Sequence, residues 1–167
     1  EITKKGHEVG ALVGFDLAHA AGNILLQLNE WKVDFATWCS YKYLNSGPGN
    51  VSGVFIHENQ SQKKPFRLKG WWGSLEDNRF AYNFKTKFQP LKGAEGWQLS
   101  NAPVFGMAAH KASLDIFSKA SISNLVEKAI LSGSRENMIV HIKALVPSIS
   151  KDIVAEFELT LSLKEKK

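Results

Sequence analysis

Cysteine is the scarcest informative residue in this chain of 167 residues: Cys39 is the only one, so no internal disulfide can form. That fits a reducing compartment, and the cytoplasm is the expected location. Long hydrophobic runs are missing too. The longest nearly apolar stretch, Val9 to Phe15, falls far short of the roughly 18 to 20 residues that a membrane-spanning helix needs. No basic segment followed by an apolar one opens the chain, so neither a targeting segment nor a membrane partner is expected. Low-complexity tracts and internal repeats are absent, and 44% of residues are apolar and 22% charged, which excludes disordered, collagenous and coiled-coil classes.

The charge that is present is basic, +5 net, and clustered basic residues are the footprint of nucleic-acid binding. Here the distribution argues against it. Lys63, Lys64, Arg67 and Lys69 form one short cluster, and Lys164, Lys166 and Lys167 a terminal tail; runs of this kind are ordinarily solvated faces. No nucleic-acid partner is expected.

The hydrophobic pattern points to an α/β fold. Val9 to Phe15 reads as a buried strand ending at Asp16. Ala20, Ile24, Leu28 and Trp31 recur at helical spacing, and Val33 to Tyr41 is rich in β-branched and aromatic residues, as a second buried strand would be. Strand, helix, strand at this spacing is a βαβ unit with parallel strands, so Asp16 and the Lys42 region are expected at one carboxyl edge, where open α/β sheets bind ligands. Asn45 to Gly49 reads as a turn, Val51 to His57 as a third strand and Gln60 to Gly70 as a loop; Phe84 to Gly96 shows no element. Met107 to Lys119 and Asn124 to Leu131 read as helices, the second opened by an Asn124–Glu127 capping box. From Glu156 to Leu163 polar and apolar residues alternate, the pattern of a half-buried strand in an antiparallel sheet. That shift of character predicts a boundary near Pro147, with residues 1–146 in one domain and 147–167 opening another, and so a chain that is a piece of a larger protein.

Three polar positions follow strand ends: Asp16, His19 and the Tyr41–Lys42 pair. An ammonium at the end of an apolar strand is costly to desolvate, and a desolvated lysine is a good nucleophile toward carbonyls. A carboxylate on the adjacent strand could hold a pyridine nitrogen protonated, which is how pyridoxal phosphate becomes an electron sink. The plainer alternative is that Asp16 caps the following helix while Lys42 snorkels to solvent. His19 with Asp16 lacks a third ligand at metal-binding spacing, so no metal is expected. Trp71 and Trp72 after a basic loop could form a base-stacking platform, though without the polar sheet face that such a platform needs. Cys39, inside an apolar strand, reads as an inert packing residue.

The stretches Gly14–Asn23 (GFDLAHAAGN), Val33–Gly49 (VDFATWCSYKYLNSGPG), Gly53–Glu58 (GVFIHE), Gly70–Gly73 (GWWG) and Gly96–Val104 (GWQLSNAPV) occur in the order in which they closely resemble kynureninases. The likeness runs to about residue 120 and continues more weakly beyond; AEFELTLSLK resembles the first strand region of the family's small domain. It implies the large pyridoxal-phosphate domain of a fold-type I enzyme, a mostly parallel sheet with flanking helices, plus the beginning of a small α+β C-terminal domain. It also implies hydrolysis of L-kynurenine or its 3-hydroxy form to anthranilate or 3-hydroxyanthranilate and alanine, in tryptophan catabolism and NAD biosynthesis. By the same resemblance Lys42 bonds the cofactor aldehyde, Asp16 pairs with the pyridinium nitrogen and His19 lies near the ring. Tyr41 contacts the phosphate and is a proton donor, Trp71 reaches the phosphate, and Asn101 lines the substrate side of a site built at a homodimer interface. The family's ring-stacking and substrate-carboxylate residues have no counterpart here, so this polypeptide alone is expected to be inactive. Two other readings stay open: another fold-type I enzyme, such as a cysteine desulfurase or class V aminotransferase, and a non-catalytic remnant of the fold.

Overall fold

The computed structural model describes residues 1–63, 67–81, 84, 87–132, 137–145 and 154–162. The apolar run near the start forms β1 (Leu12–Asp16), entered from a short helix α1 (Ile2–Glu8) that the sequence pattern did not announce. β2 (Phe35–Trp38) and β3 (Gly53–Ile56) are the cores of the two other expected strands. They build a five-stranded sheet of order β3-β2-β1-β4-β5, where β4 is Asn137–Leu145 and β5 is Val154–Ser162. The expected α/β class holds, but among the described residues parallel pairing is limited to β1 with β2; the β2–β3, β1–β4 and β4–β5 pairings are antiparallel. The reason lies in the connections. The link from β2 to β3 carries no helix and returns the chain as a long hairpin, whereas a parallel neighbour needs a full crossover. The alternating tail does pair antiparallel as expected, β5 alongside β4, and β4 borders β1.

The helix expected over Ala20 to Trp31 does not form. Ala21 N–H bonds Leu17 O and Ile24 N–H bonds Ala20 O, but these are separate turns, not a continuing ladder. Gly22 breaks the run with φ at +80°, and a β-carbon there would lie 3.0 Å from the backbone of Tyr43. The loop is thus pressed against the segment that carries Lys42, an approach only glycine permits. Its apolar residues still reach the core. Leu17, Ala20 and Ala21 pack on Ala36 of β2, with Phe15, Ile24, Leu26, Leu28, Trp38, Leu44 and Phe55 around them. Within the sheet, Gly14 makes room for the Phe35 ring, which a β-carbon would meet at 2.2 Å.

Beyond β3 come two short helices, α2 (Glu58–Gln62) and α3 (Glu76–Arg79), and a 3-10 turn over Ala94–Trp97. α2 occupies the start of the stretch expected to be loop, and Lys64 lies outside the described residues. The longer helices α4 (Val104–Ala120) and α5 (Ile122–Leu131) cover the two expected helical stretches. Ser121, not Asn124, caps α5: its hydroxyl accepts from Asn124 N–H at 3.2 Å, a single cap bond in place of the expected box. Lys164, Lys166 and Lys167 also lie outside the described residues. Among the described residues no helix is long and apolar enough to cross a membrane.

Candidate functional site

β1 and β2 run in register from Gly14 opposite Phe35 to Asp16 opposite Thr37, so both strands end at the same edge of the sheet. Asp16 is half-buried there. Its Oδ1 accepts from Ala18 N–H at 2.9 Å, closing a tight turn, and Leu17 N–H crosses to Thr37 O at 2.8 Å. The helix-capping alternative for Asp16 therefore reduces to a single turn. Oδ2 has no partner among the described residues, so half of the acceptor capacity of this carboxylate is left open.

The segment after β2 is held by buried hydroxyls. Ser40 donates to Val51 O, Ser46 donates to Ser40 Oγ at 2.8 Å, and Ser46 N–H bonds Ser40 O at 3.1 Å. Ser40 and Ser46 are 1% and 2% exposed, which makes them anchors of the loop. Helix α4 grips the same loop from outside: Ser113 donates to Leu44 O, and Asn50 Nδ2 donates to Gly106 O. Lys42 sits within this braced loop, half-buried, with its Nζ 3.3 Å from His19 Nε2 and 6.0 Å from the centre of the Tyr41 ring. The His19 ring meets Tyr43 edge-on, 6.4 Å between centroids.

Tyr41 itself is exposed. The Cys39 thiol hydrogen-bonds its hydroxyl and holds the phenol above its ordinary value near 10; the charge that Cys39 would carry and slight desolvation push the same way. Tyr41 is therefore a protonated donor throughout the neutral range. Cys39 itself is half-buried and a free thiol.

Trp71 and Asn101 form a second group. Trp71 N–H bonds Leu99 O and Gly73 N–H bonds Gln98 O, both at 2.9 Å, which clamps the double tryptophan onto the strand-like stretch before α4. Trp72 Nε1 donates to Asn101 Oδ1, the Arg79 guanidinium lies 4.3 Å over the Trp72 ring, and Phe80 meets Trp71 edge-on. Trp71, Trp72, Phe80, Ser100 and Asn101 line an open cavity of about 210 Å³. A base-stacking sheet face is not what holds these rings. Among the described residues no hydrogen bond or ring contact joins this cavity to Lys42, Asp16 or His19. Trp72 was singled out by the sequence only as half of a stacking pair with Trp71, and Phe80 was not singled out.

At the opposite end of β1 and β2 stands a carboxylate that the sequence reading passed over. Asp34 is 4% exposed and accepts from Val13 N–H at 2.7 Å and from Gln60 Nε2, with His7 Nε2 at 2.8 Å. Its signal was a lone charge at the start of a buried strand. No group of three or more His, Cys, Asp or Glu side chains among the described residues could hold a metal ion.

No family model matches the chain. It is 45% identical over 159 residues to a kynureninase of Flavobacterium psychrophilum, covering 95% of this chain and 36% of that protein. A kynureninase of Myxococcus xanthus is 51% identical over 129 residues, 77% of this chain and 30% of that one. The mouse kynureninase is 40% identical over 179 residues, 99% of this chain and 38% of that one. Among solved structures, the apo cysteine desulfurase of Thermococcus onnurineus matches 81% of this chain and 37% of its own at 16% identity, with a TM-score of 0.44, too loose to build on. The chain thus resembles kynureninases over nearly its whole length and spans about a third of theirs.

Proposed function

We propose that this chain carries the cofactor-anchoring part of a cytoplasmic, homodimeric, pyridoxal-phosphate-dependent hydrolase that splits kynurenine or its 3-hydroxy form into an anthranilate and alanine. The observation behind the reading is the meeting of Lys42 and His19 beside Asp16 at one sheet edge, in a chain 45% identical to a kynureninase. The donor set suits the cofactor: an amine for its aldehyde, a carboxylate with an open oxygen for a protonated ring nitrogen, and an exposed, protonated hydroxyl for its phosphate.

When bound, pyridoxal phosphate supplies an electron sink for the substrate's α-carbon. Asp16 holds a proton on the ring nitrogen. Lys42 anchors the group and, as a free amine, moves the proton at the α-carbon. Tyr41, kept protonated beside Cys39, binds phosphate and donates a proton to the fragment that becomes alanine. Among the described residues Lys42 does not line the cavity of Trp71 and Asn101, an arrangement that suits a dimer in which each copy's aromatic cavity serves the other's lysine, Trp71 toward the phosphate and Asn101 toward the substrate. In this reading residues 1–146 belong to the large domain and 147–167 open the small one.

The test is release of fluorescent anthranilate from kynurenine by the full-length protein with pyridoxal phosphate. Release that vanishes in Lys42→Ala supports the reading. A borohydride-sensitive visible band without anthranilate would overturn the substrate and keep the cofactor.

A further inference from the structure

Lys42 does not stand alone at the sheet edge. Its Nζ lies 3.3 Å from Nε2 of His19, a long hydrogen bond between a half-buried amine and an exposed imidazole. An ammonium offers donors only, so this contact makes Nε2 the acceptor and places the ring proton on Nδ1. The imidazole is fixed from both sides of its residue: the Tyr43 ring meets it edge-on, and the His19 carbonyl accepts from Asn23 Nδ2 at 3.1 Å. The backbone that carries it is seated as well, because Gly22 abuts the Tyr43 backbone, one residue beyond Lys42. A lysine stem is long and flexible, and an amine that must be released and recaptured benefits from a defined resting place.

We infer that His19 is a positioning residue for Lys42: it accepts a hydrogen bond from the ε-amine whenever that amine is not bonded to a cofactor. The bond parks the amine at the Asp16 edge. The purpose assigned to this contact rests on the reading of Lys42 as the cofactor lysine; the contact itself does not.

The experiment uses the full-length protein without cofactor, treated briefly with acetic anhydride at mildly alkaline pH, with acetylation read at each lysine by mass spectrometry. Lys92 and Lys119, both exposed, serve as internal references. In His19→Leu the Lys42 rate, relative to these references, should rise about three- to tenfold, as expected for a charge-assisted bond at a partly exposed site. In His19→Gln, whose amide oxygen is again an acceptor, it should stay within about twofold of the wild type. An unchanged ratio in His19→Leu overturns the inference, and so does an equal rise in His19→Gln, which would show that the imidazole acts only by filling space. Failure of the underlying reading is seen separately: with pyridoxal phosphate and borohydride, no adduct on Lys42 would remove the cofactor role and leave the acetylation result standing.

Discussion

Asp34 and Asp16 stand at opposite ends of the same pair of parallel strands, and they use their oxygens differently. Asp34 is buried and receives a backbone N–H, the Gln60 amide and the His7 ring, so its acceptors are consumed in joining β1, β2, α1 and α2. Asp16 is half-buried and commits one oxygen to a turn, leaving the other without a partner among the described residues. The contrast teaches that the two strands have a structural end and a chemical end. A carboxylate's role follows from whether the fold has already filled its lone pairs.

The contrast is broken most directly at its chemical end. Lys42→Ala in the full-length protein with pyridoxal phosphate should lower kynurenine hydrolysis by on the order of a thousandfold or more, while thermal denaturation shifts little, since the side chain is not a core residue. The mirror experiment is Asp34→Ala. It should cost about 3 kcal/mol, read by denaturant unfolding, because Val13 N–H and Gln60 lose their acceptor inside the fold. If Asp34→Ala removed activity without loss of stability, the division of labour would be wrong.

Gly22→Ala sharpens the link between the ends of the two loops. With φ at +80° and Tyr43 backbone 3.0 Å from the new β-carbon, it should destabilise by about 1 to 2 kcal/mol in the same unfolding measurement. The smallest effect expected is spectroscopic. Tyr41's raised pKa means that the phenol stays protonated in the fold to higher pH than in the unfolded chain. The hydrogen bond with Cys39 therefore contributes stability below about pH 10 that is lost as pH rises through the folded value. Cys39→Ala should bring the Tyr41 phenolate absorbance in at lower pH, and an unmoved titration would dismiss the thiol as its partner.

These positions also show what could be read from sequence. β1, β2 and β3 were legible because buried strands are runs of apolar and β-branched residues, and the placement of Asp16 and Lys42 at one edge followed from two such strands being parallel. The loop from Leu17 to Asp34 imitated a helix because its apolar residues recur near helical spacing, while the feature that forbids the helix, a backbone pressed on Gly22, comes from residues that are distant in sequence. α1 carries little apolar periodicity of its own, and the parallel expectation for the sheet failed where a helix-free link turned the chain back. At the site, Asp16, His19, Tyr41 and Lys42 stood out as polar residues after strands. Asn101 came only from resemblance, and Trp71 stood out otherwise only as half of a tryptophan pair, since no local pattern shows that backbone bonds to Gln98 and Leu99 will bring them together. Asp34 was missed because hydrogen bonds across elements leave no periodic trace.

The seat of Gly22 against Tyr43 has a consequence for motion. The turn after Asp16 and the loop holding Lys42 touch through rigid main chain on one side and through His19 on the other, so neither can swing without carrying its neighbour. Carboxylate and amine would then travel as one body. Nuclear relaxation in the microsecond-to-millisecond range should report a shared exchange rate for residues 17–23 and 40–46, not two independent ones.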